Sequence, residues 1–361
     1  MKNQTSSRKL EHIKIALKKN TQFKITNQFE NIELIPNKAV GKRVSEHNID
    51  LSTIFLNKKI NAPIFISGMT GGHEKTFKIN LNIAEAAHEL NIPMGLGSQR
   101  AMIEHKELTY TYNVKKYYDV ILLGNIGAAQ LVKYKSKAIK QMLEDVDADA
   151  LCIHTNPAQE IVQPEGNLNF KNAFNNIKSI ADNLDYKIIL KEVGNGISKE
   201  VAKKMNSTNI YGIDTGGAGG TNWVAIELFR TSTSNFDIIR EWGIPTAQSL
   251  IETRYAFNKF VTATGGIRSG LDVVKAISLG ANACGIAMPI LNAQKFGSNG
   301  IIKYLNLIVK QIKNEMIKLN CSNIQDLRSL QFNIKNPLKN ILEQRKININ
   351  LFQKKRSNFK K

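Results

Sequence analysis

Side chains able to bind ions or move protons are concentrated near the middle of the chain. Four of them follow one another closely: His154, Asn156, Gln159 and Glu160. They come directly after an apolar run at 150–153 that predicts a buried strand. Glu160 offers the carboxylate oxygens that Mg2+ prefers, with a diphosphate completing the shell, or it caps a helix. His154 either faces a site or is a satisfied buried histidine.

A lysine stands in the matching position after another apolar run. Lys191 follows residues 187–190, and it is the lysine that a predicted strand brings to the same edge as the polar cluster. It predicts a cation beside a bound ligand, or else a salt bridge to Glu192 or Glu160.

Glycine-rich segments and two polar side chains follow other apolar runs. Residues 264–270 begin a helix, where glycines allow close backbone approach and free amides point at an anion, or they form a tight turn. The run at 216–220 favours a phosphate site. The pair Gly71 and Gly72 indicates close approach to something flat, such as a flavin ring. Ser98 and Asn125 offer hydrogen bonds to a ring edge.

Short apolar runs recur between predicted helices and are the elements that would position these residues. Such alternation predicts a parallel sheet that is buried on both faces. About eight units over this length are typical of an α/β fold of the (β/α)8 TIM-barrel type, in which the carboxyl ends of all strands meet at one mouth. The predicted strands are 63–66, 93–96, 120–123, 150–153, 187–190, 210–213, 260–263 and 283–287.

The remaining segments are predicted to surround this barrel. Residues 1–61 form an N-terminal extension, with a helix around 8–17, that lies as a lid over the mouth. The barrel covers 62–320 and contains a helical insertion at 224–258. A C-terminal helical extension follows at 321–361, and its basic tail from residue 354 is expected to be frayed and solvated.

Composition indicates an ordinary globular protein rather than a nucleic-acid or membrane binder. The 361 residues are 42% hydrophobic and carry a formal net charge of +20. Of the 50 basic residues, 10 are Arg and 40 are Lys, which fits a biased coding background, and no nucleic-acid motif is present. With no long apolar run and no apolar signal core, we expect a cytoplasmic protein. Three cysteines without metal-type spacing predict buried thiols.

The motifs together resemble those of type 2 isopentenyl-diphosphate isomerases, which are FMN-dependent (β/α)8 enzymes. The resemblance runs in order from residue 8 to about residue 290. It rests on Arg8-Lys9-x-Glu11-His12, Met69-Thr70-Gly71-Gly72, Gly97-Ser98-Gln99-Arg100, Asn125-Ile126-Gly127, His154-x-Asn156-x-x-Gln159-Glu160, Gln163-Pro164-Glu165-Gly166, Lys191-Glu192-Val193-Gly194, Gly219-Gly220-Thr221 and Gly265-Gly266-Ile267-Arg268.

This resemblance implies a role for each matching residue. It implies FMN contacts at Thr70, Gly71, Gly72, Ser98, Asn125, Lys191, Gly216, Thr221, Gly266, Ile267, Arg268, Ala287 and Met288. It implies that the substrate diphosphate and its pocket involve Arg8, Lys9, Ser98, Arg100, His154, Asn156 and Gln159. It implies Mg2+ on Glu160, and catalytic roles for Gln159, Glu160, Lys191 and His154. It also implies NADPH as the flavin reductant and a homo-oligomer, a tetramer or an octamer.

Two departures and three rival functions accompany this interpretation. Gly216 stands where many relatives have a serine that touches the flavin phosphate, so its contact is expected through the backbone. Met288 stands where some relatives carry a different side chain beside that phosphate. An FMN-dependent 2-hydroxy-acid oxidase would carry His-Gly-Gly after the sixth strand, where this chain has Asp214-Thr215-Gly216-Gly217. A nucleotide dehydrogenase would want a nucleophilic cysteine in that loop. A basic non-enzymatic binding protein is the remaining alternative.

Overall fold

The structure, a computed structural model, describes residues 4–36, 44–232 and 239–356. Its strands are β1 (Ile32–Leu34), β2 (Thr53–Phe55), β3 (Lys58–Ile60), β4 (Ile64–Ile66), β5 (Met94–Gly95), β6 (Leu122–Gly127), β7 (Ala150–Thr155), β8 (Lys187–Glu192), β9 (Gly212–Asp214), β10 (Phe260–Thr264), β11 (Ala283–Ile286) and β12 (Phe332–Ile334).

Helices separate most of these strands. The α-helices are α1 (Gln4–Lys18), α2 (Glu74–Leu90), α3 (Arg100–Glu104), α4 (Ser136–Glu144), α5 (Pro157–Val162), α6 (Ala173–Asn183), α7 (Lys199–Met205), α8 (Trp223–Thr231), α9 (Thr246–Ala256), α10 (Gly270–Ser278), α11 (Met288–Ala293), α12 (Gly297–Leu319), α13 (Ile324–Ser329), α14 (Leu338–Gln344) and α15 (Ile349–Arg356). Short 3-10 helices lie at Phe29–Asn31, Glu46–Asn48, Lys106–Thr111, Ala128–Val132 and Gln294–Phe296.

The eight strands β4 to β11 form a closed barrel in which each pairs in parallel with its neighbours in the chain, and β11 pairs with β4. The predicted (β/α)8 TIM barrel is therefore confirmed. Its interior is filled by apolar side chains that include Phe65, Cys152 and Phe260, and the β2–β3 hairpin adds Phe55 and Ile60 to the same cluster. A larger apolar core lies between the barrel and its helices.

Three barrel strands are longer at the mouth than the apolar runs predicted. The predicted ends at 123, 153 and 190 are wrong, because β6, β7 and β8 continue to Gly127, Thr155 and Glu192. The reason is the parallel ladder: Gly127 pairs with His154, and His154 pairs with Lys191. Backbone pairing continues although the side chains have become polar, so Asn125, His154 and Lys191 lie in the barrel wall rather than in loops.

The N-terminal extension is attached directly to the mouth. Helix α1 packs against α8 and α11. After it, Gln22 forms a bridge with Thr221, and the Phe23 amide donates to the Gly220 carbonyl at 3.0 Å. The loop after β9 is thereby fixed to the segment that follows α1.

The segments flanking the barrel pack closely against it. Of the predicted insertion at 224–258, α8 lies beside α1 and α5, whereas α9 packs against α7 and β10. β12 in the C-terminal extension pairs antiparallel with β1. All three cysteines are buried, as predicted. Within the described segments, no helix combines the length and apolar character needed to cross a membrane.

The expected frayed basic tail is wrong at Arg356, which is 1% exposed. Its guanidinium donates to the carbonyls of Ser278, at 2.5 Å, and Arg328, at 2.7 Å, and also to that of Leu330. Free carbonyls at helix ends accept such bonds, so the tail helix docks rather than frays. Residues 357–361, the rest of the predicted tail, lie outside the described part.

Candidate active site

A cavity of about 1660 Å³, including its open mouth, lies at the carboxyl ends of the barrel strands. Almost all of the residues predicted for the site line it, although they are spread over nearly the whole chain. They are Arg8, Lys9, Thr70, Ser98, Arg100, Asn125, His154, Asn156, Gln159, Glu160, Lys191, Gly216, Thr221, Gly266, Ile267, Arg268, Ala287 and Met288.

Gly71 and Gly72 lie behind the wall of this cavity. Both have positive φ, at 151° and 84°, where a side chain is strained. A Cβ atom on Gly71 would lie 2.1 Å from a ring carbon of Tyr112, and one on Gly72 would lie 2.7 Å from its hydroxyl. In this structure the tyrosine ring accounts for both glycines, and their predicted flavin contact stays a prediction.

Cations gather at one end of the cavity. The Lys9 ammonium donates to the Ser98 carbonyl at 2.7 Å and to the Tyr112 hydroxyl at 2.6 Å, and Tyr112 donates to the same carbonyl at 2.9 Å. Burial, followed by the charges of Arg8 and Arg100, lowers the pKa of Lys9 to about 7. An anion at this end would raise that pKa, because it favours the charged form of the amine.

His154 is neutral. Its Nδ1 lies 2.7 Å from Asn125 Oδ1, and burial, followed by the nearby charges of Lys191 and Lys9, lowers the pKa of His154 to about 3. Since an amide oxygen only accepts hydrogen bonds, Nδ1 carries the proton and Nε2 is the acceptor. His154 is thus able to accept a hydrogen bond in the cavity at neutral pH.

The amide of Gln159 is fixed at both ends. Its Oε1 accepts from Asn156 Nδ2 at 3.1 Å, and its Nε2 donates to Glu227 Oε1 at 3.0 Å. The side-chain amide of Asn156 also donates to Glu160 Oε1 at 3.0 Å, and Glu160 Oε2 accepts from the backbone N–H of Asn167 at 2.6 Å. This cluster therefore has one defined orientation before any ligand binds.

Glu227 was not predicted from the sequence, because it lies in a mostly apolar helical run and its spacing to Arg230 equally suits an ordinary ion pair within one helix. It is 0% exposed. Its carboxylate accepts from Arg230 Nε at 2.7 Å, and its Oε1 lies 2.9 Å from His12 Nε2. Burial alone raises the pKa of Glu227, but His12, Gln159 and Arg230 together lower it to about 2, so the carboxylate is ionised.

Lys191 does not form the salt bridge that was its alternative reading. Its ammonium donates to the backbone carbonyl of Glu192 at 2.9 Å, and no ion pair joins it to a carboxylate in the described residues. The Glu192 carboxylate instead accepts the amides of Val193, Gly194 and Asn195, and burial raises its pKa to about 7. A charged amine in the wall is thus available to a ligand.

The two glycine loops after β9 and β10 pack backbone against backbone. Gly265 has φ of 105°, and a Cβ there would lie 2.0 Å from the Gly217 carbonyl. The Arg268 side chain crosses between the loops and donates to the Gly219 carbonyl at 3.0 Å. Close approach of the loops therefore requires glycine, and the two loops form one continuous wall.

Two of the amides at the start of α10 are already occupied, and the expected anion site at residues 264–270 stays a prediction. Asp272 Oδ2 accepts the amides of Arg268, at 3.0 Å, and Ser269, at 2.9 Å, and Ser269 Oγ accepts from the Asp272 amide. This capping box satisfies the helix start internally. A phosphate at this wall would have to use other donors, such as the Arg268 guanidinium.

Two buried hydroxyl groups just after β4 have no hydrogen-bond partner among the described residues. They are Ser67 Oγ and Thr70 Oγ1; both residues are under 9% exposed, and both line the cavity. Buried polar groups are normally satisfied, so these two indicate a polar ligand. Ser67 was not predicted, because nothing in the sequence distinguishes it from its apolar neighbours.

Comparison with known proteins places the chain among isomerases. A family model described as FMN-dependent dehydrogenase matches residues 127–333. The chain is 41% identical to the isopentenyl-diphosphate delta-isomerase of Pyrococcus furiosus, over 98% of this chain and 92% of that protein. It is 39% identical to the enzyme of that name from Methanocaldococcus jannaschii, over 95% and 98%. The chain belongs to the isopentenyl-diphosphate delta-isomerase family.

This membership confirms the resemblance found in the motifs, and the cavity fits the FMN that the matched model names. The hydroxyls of Ser67 and Thr70, which no described residue bonds, the amine of Lys191 and the close glycine loops are the kinds of group that would hold a flavin. A solved mandelate oxidase structure, with a TM-score of 0.63 and 17% identity over 90% of this chain and 94% of that one, shares the barrel fold.

Proposed function

We propose that this chain interconverts isopentenyl diphosphate and dimethylallyl diphosphate, the reaction named for its relatives. The reaction removes a proton from C2 and adds one at C4, so the double bond moves without net redox change. The observation that carries the proposal is the 41% identity over 98% of the chain, combined with a cavity in which the matching motif residues converge.

The cationic end of the cavity supports a diphosphate substrate. Arg8, Lys9 and Arg100 line it together. Guanidinium groups bind phosphate oxygens with two parallel donors, which an amine does not. A bound diphosphate would also hold the Lys9 amine in its charged form, at a site where burial otherwise favours the neutral amine.

Other lining residues of the cavity suit a short hydrocarbon beside proton-carrying groups. Ile13, Trp223 and Ile226 contribute apolar surface, and the Trp223 ring meets His12 edge-on, with centroids 5.5 Å apart. The oriented amide of Gln159 and the neutral imidazole of His154 then hold the carbon chain or pass a proton. A group that moves a proton must lie within hydrogen-bond reach of the reacting atom or of a bridging water.

Bound FMN would supply a ring whose nitrogens accept and donate protons in its reduced form. Ser67, Thr70, Asn125 and Lys191 are the residues that would hold it. The charged Lys191 amine would stabilise an anionic reduced ring. NADPH is the proposed reductant.

Glu160 would hold Mg2+ together with the diphosphate. Its carboxylate lines the cavity, and Mg2+ often takes one or two protein carboxylates, several waters and phosphate oxygens. In the described residues no group of three or more His, Cys, Asp or Glu side chains forms a metal site. The donor set therefore suits a metal that arrives with the substrate.

The cellular setting and assembly belong to the same proposal. We propose a cytoplasmic enzyme that acts as a homo-oligomer, a tetramer or an octamer, without nucleic-acid or membrane partners. Size-exclusion chromatography with light scattering measures the assembly, and a monomer at working concentration would contradict it.

The test is an assay of purified protein with isopentenyl diphosphate, FMN, Mg2+ and NADPH in deuterated water. We expect a yellow protein that forms dimethylallyl diphosphate with deuterium at C4. Mandelate, as a 2-hydroxy acid, serves as the control substrate and should not be oxidised. A flavoprotein that oxidises mandelate and leaves isopentenyl diphosphate unchanged would replace the proposal with the oxidase alternative.

A further inference from the structure

Four charged side chains form a continuous chain of contacts from the lid helix to the buried carboxylate that holds Gln159. Arg8 Nη1 lies 3.3 Å from Glu165 Oε1. Glu165 Oε2 accepts from Arg230 Nη2 at 2.8 Å, and Arg230 Nε donates to Glu227 Oε2 at 2.7 Å. We call Arg8, Glu165, Arg230 and Glu227 the charge network.

The two ends of the charge network serve different parts of the cavity. Arg8, on α1, belongs to the cationic end, whereas Glu227, on α8, accepts the amide of Gln159 at 3.0 Å. When its amide is oriented so that both ends are satisfied, Gln163 spans the same gap: Nε2 donates to Glu227 at 3.0 Å and the oxygen accepts from Arg8 at 2.9 Å. Arg8 on α1 and Glu227 on α8 are therefore connected through a continuous set of hydrogen bonds and ion pairs.

Glu165 orients Arg8 rather than competing with an anion for it. The contacts of Arg8 with Glu165 and Gln163 both use Nη1. Its Nε is buried and receives no hydrogen-bond partner from the part of the chain that the structure describes. A guanidinium binds phosphate through two parallel N–H groups, so holding one nitrogen leaves the edge containing Nε for a ligand.

We propose that Glu165 and Arg230 are positioning residues that couple the anion-binding arginine of the lid to the orientation of Gln159. Arg230 connects the two carboxylates, because its Nη2 donates to Glu165 while its Nε donates to Glu227. Neither residue lines the cavity, so neither touches the substrate. The proposal rests on the isomerase function proposed above and adds to it a connection between substrate capture and the reacting end.

The first experiment compares Glu165→Ala, Glu165→Gln and the control Glu315→Ala, which breaks a carboxylate pair with Lys318 on α12. Glu165 is 43% exposed on its side chain, so a surface-type effect of about two- to fivefold is expected. Glu165→Ala should raise the KM for isopentenyl diphosphate by this factor with kcat nearly unchanged. Glu165→Gln keeps a hydrogen-bond acceptor, so its KM should lie between those of the wild type and Glu165→Ala. The control Glu315→Ala should match the wild type.

A double-mutant cycle tests whether Glu165 acts through Arg8. Arg8→Ala should raise KM more than Glu165→Ala does. The double variant should be no worse than Arg8→Ala alone, because the carboxylate then has nothing to orient at the cavity. Additive effects would overturn the proposal, as would a KM that falls in Glu165→Ala, which would mean that Glu165 competes with the diphosphate.

Arg230→Gln should change both kinetic constants, whereas Glu165→Ala changes one. It releases Glu165, which raises KM, and it leaves the Glu227 carboxylate with one partner fewer, which lowers kcat through Gln159. Arg230→Lys keeps the charge on a single nitrogen and should restore one effect only. If Arg230→Gln and Arg230→Lys lose the same activity, or if either variant loses the flavin spectrum, Arg230 has only a structural role.

Affinity for inorganic pyrophosphate, measured by calorimetry, separates this proposal from the proposed function. If the wild type binds pyrophosphate but does not isomerise, the function fails, while weaker binding in Glu165→Ala still supports the network. If the wild type isomerises and Glu165→Ala matches it in both KM and pyrophosphate affinity, the network fails and the function stands.

Discussion

The ammonium nitrogen of Lys9 lies 2.6 Å from the hydroxyl oxygen of Tyr112, and burial also raises the pKa of that phenol. Tyr112 is thus a neutral partner, and it cannot stabilise the lysine charge as a carboxylate would. Burial, followed by the charges of Arg8 and Arg100, lowers the pKa of Lys9 to about 7, and an incoming anion would raise the pKa of such an amine.

The KM for isopentenyl diphosphate is therefore expected to depend on pH through Lys9. Below about pH 7 the amine is charged in the free and bound protein, so KM is constant through this group. Above pH 7 the free protein loses a proton that it must regain on binding, and KM rises by up to about tenfold per pH unit. Lys9→Gln should have a higher KM and lack this rise; a wild-type KM that stays flat above pH 7 would contradict the assignment.

Lys191→Ala should lose FMN affinity and activity together. A hydrogen bond to a charged group contributes about 1.5–3 kcal/mol, so its loss should raise the dissociation constant for FMN roughly ten- to hundredfold. The matched control is Lys187→Ala on the same strand, whose amine binds the Leu56 carbonyl at the other end of the barrel. Flavin absorbance after gel filtration is the measurement. Full FMN occupancy and full turnover in Lys191→Ala would make this amine a structural group.

Deletion of residues 1–10 removes both Arg8 and Lys9 but not His12. We expect the KM for isopentenyl diphosphate to rise strongly, because two cations leave the anion-binding end, while the flavin spectrum is retained. Steady-state kinetics and an absorbance spectrum of the same preparation measure both. Unchanged kinetics would show that the start of α1 has no part in substrate binding.

Glu160→Gln should raise the Mg2+ concentration needed for half-maximal activity, because an amide is a weaker ligand than a carboxylate. The measurement is a Mg2+ titration at saturating isopentenyl diphosphate with reduced FMN. An unchanged titration curve would mean that another group holds the metal.

Gln159→Ala should instead lower kcat while the Mg2+ requirement stays the same. Its amide joins Asn156 to Glu227, and losing an interaction made only in the transition state lowers kcat and kcat/KM alike. A shifted Mg2+ curve in this variant would assign Gln159 to the metal site.

Arg356→Ala should destabilise the fold although the residue lies near the end of the sequence. The carbonyls of Ser278, Arg328 and Leu330 lose their donor in a buried place, where each unsatisfied group costs about 1–3 kcal/mol. Thermal unfolding measures the effect. Lys303→Ala, at an exposed position on α12, is the control and should unfold like the wild type.

Sequence patterns predicted the barrel because parallel strands that are covered on both faces must be apolar, as the runs preceding His154 and Lys191 are. The same apolar pattern predicted strand ends that are too early, because backbone pairing continues at polar residues that the pattern excludes. Convergence at the mouth followed from topology alone.

Residues that act through others were beyond the sequence patterns. Glu227 stands in an apolar helix, and only the packing of α8 against α1 and α5 brings His12 and Gln159 to it. The amides at the start of α10 were expected to be free, but the Asp272 carboxylate accepts two of them, those of Arg268 and Ser269. Arg356 shows the same limit. Its charge predicts an exposed side chain, and the sequence does not show that backbone carbonyls accept its hydrogen bonds in a buried place.

The pairing of β1 with β12 affects how the protein is made. Ile32 pairs with Ile334, so about 300 residues must be synthesised between the two strands, which takes roughly 15 to 60 s at 5–20 residues per second. During translation the segment carrying Asn27, whose amide donates to the Gly266 carbonyl at 2.7 Å, lacks the strand partner that fixes it in the finished protein. The β1–β12 pairing that supports this segment can therefore form only after residues 332–334 have left the ribosome.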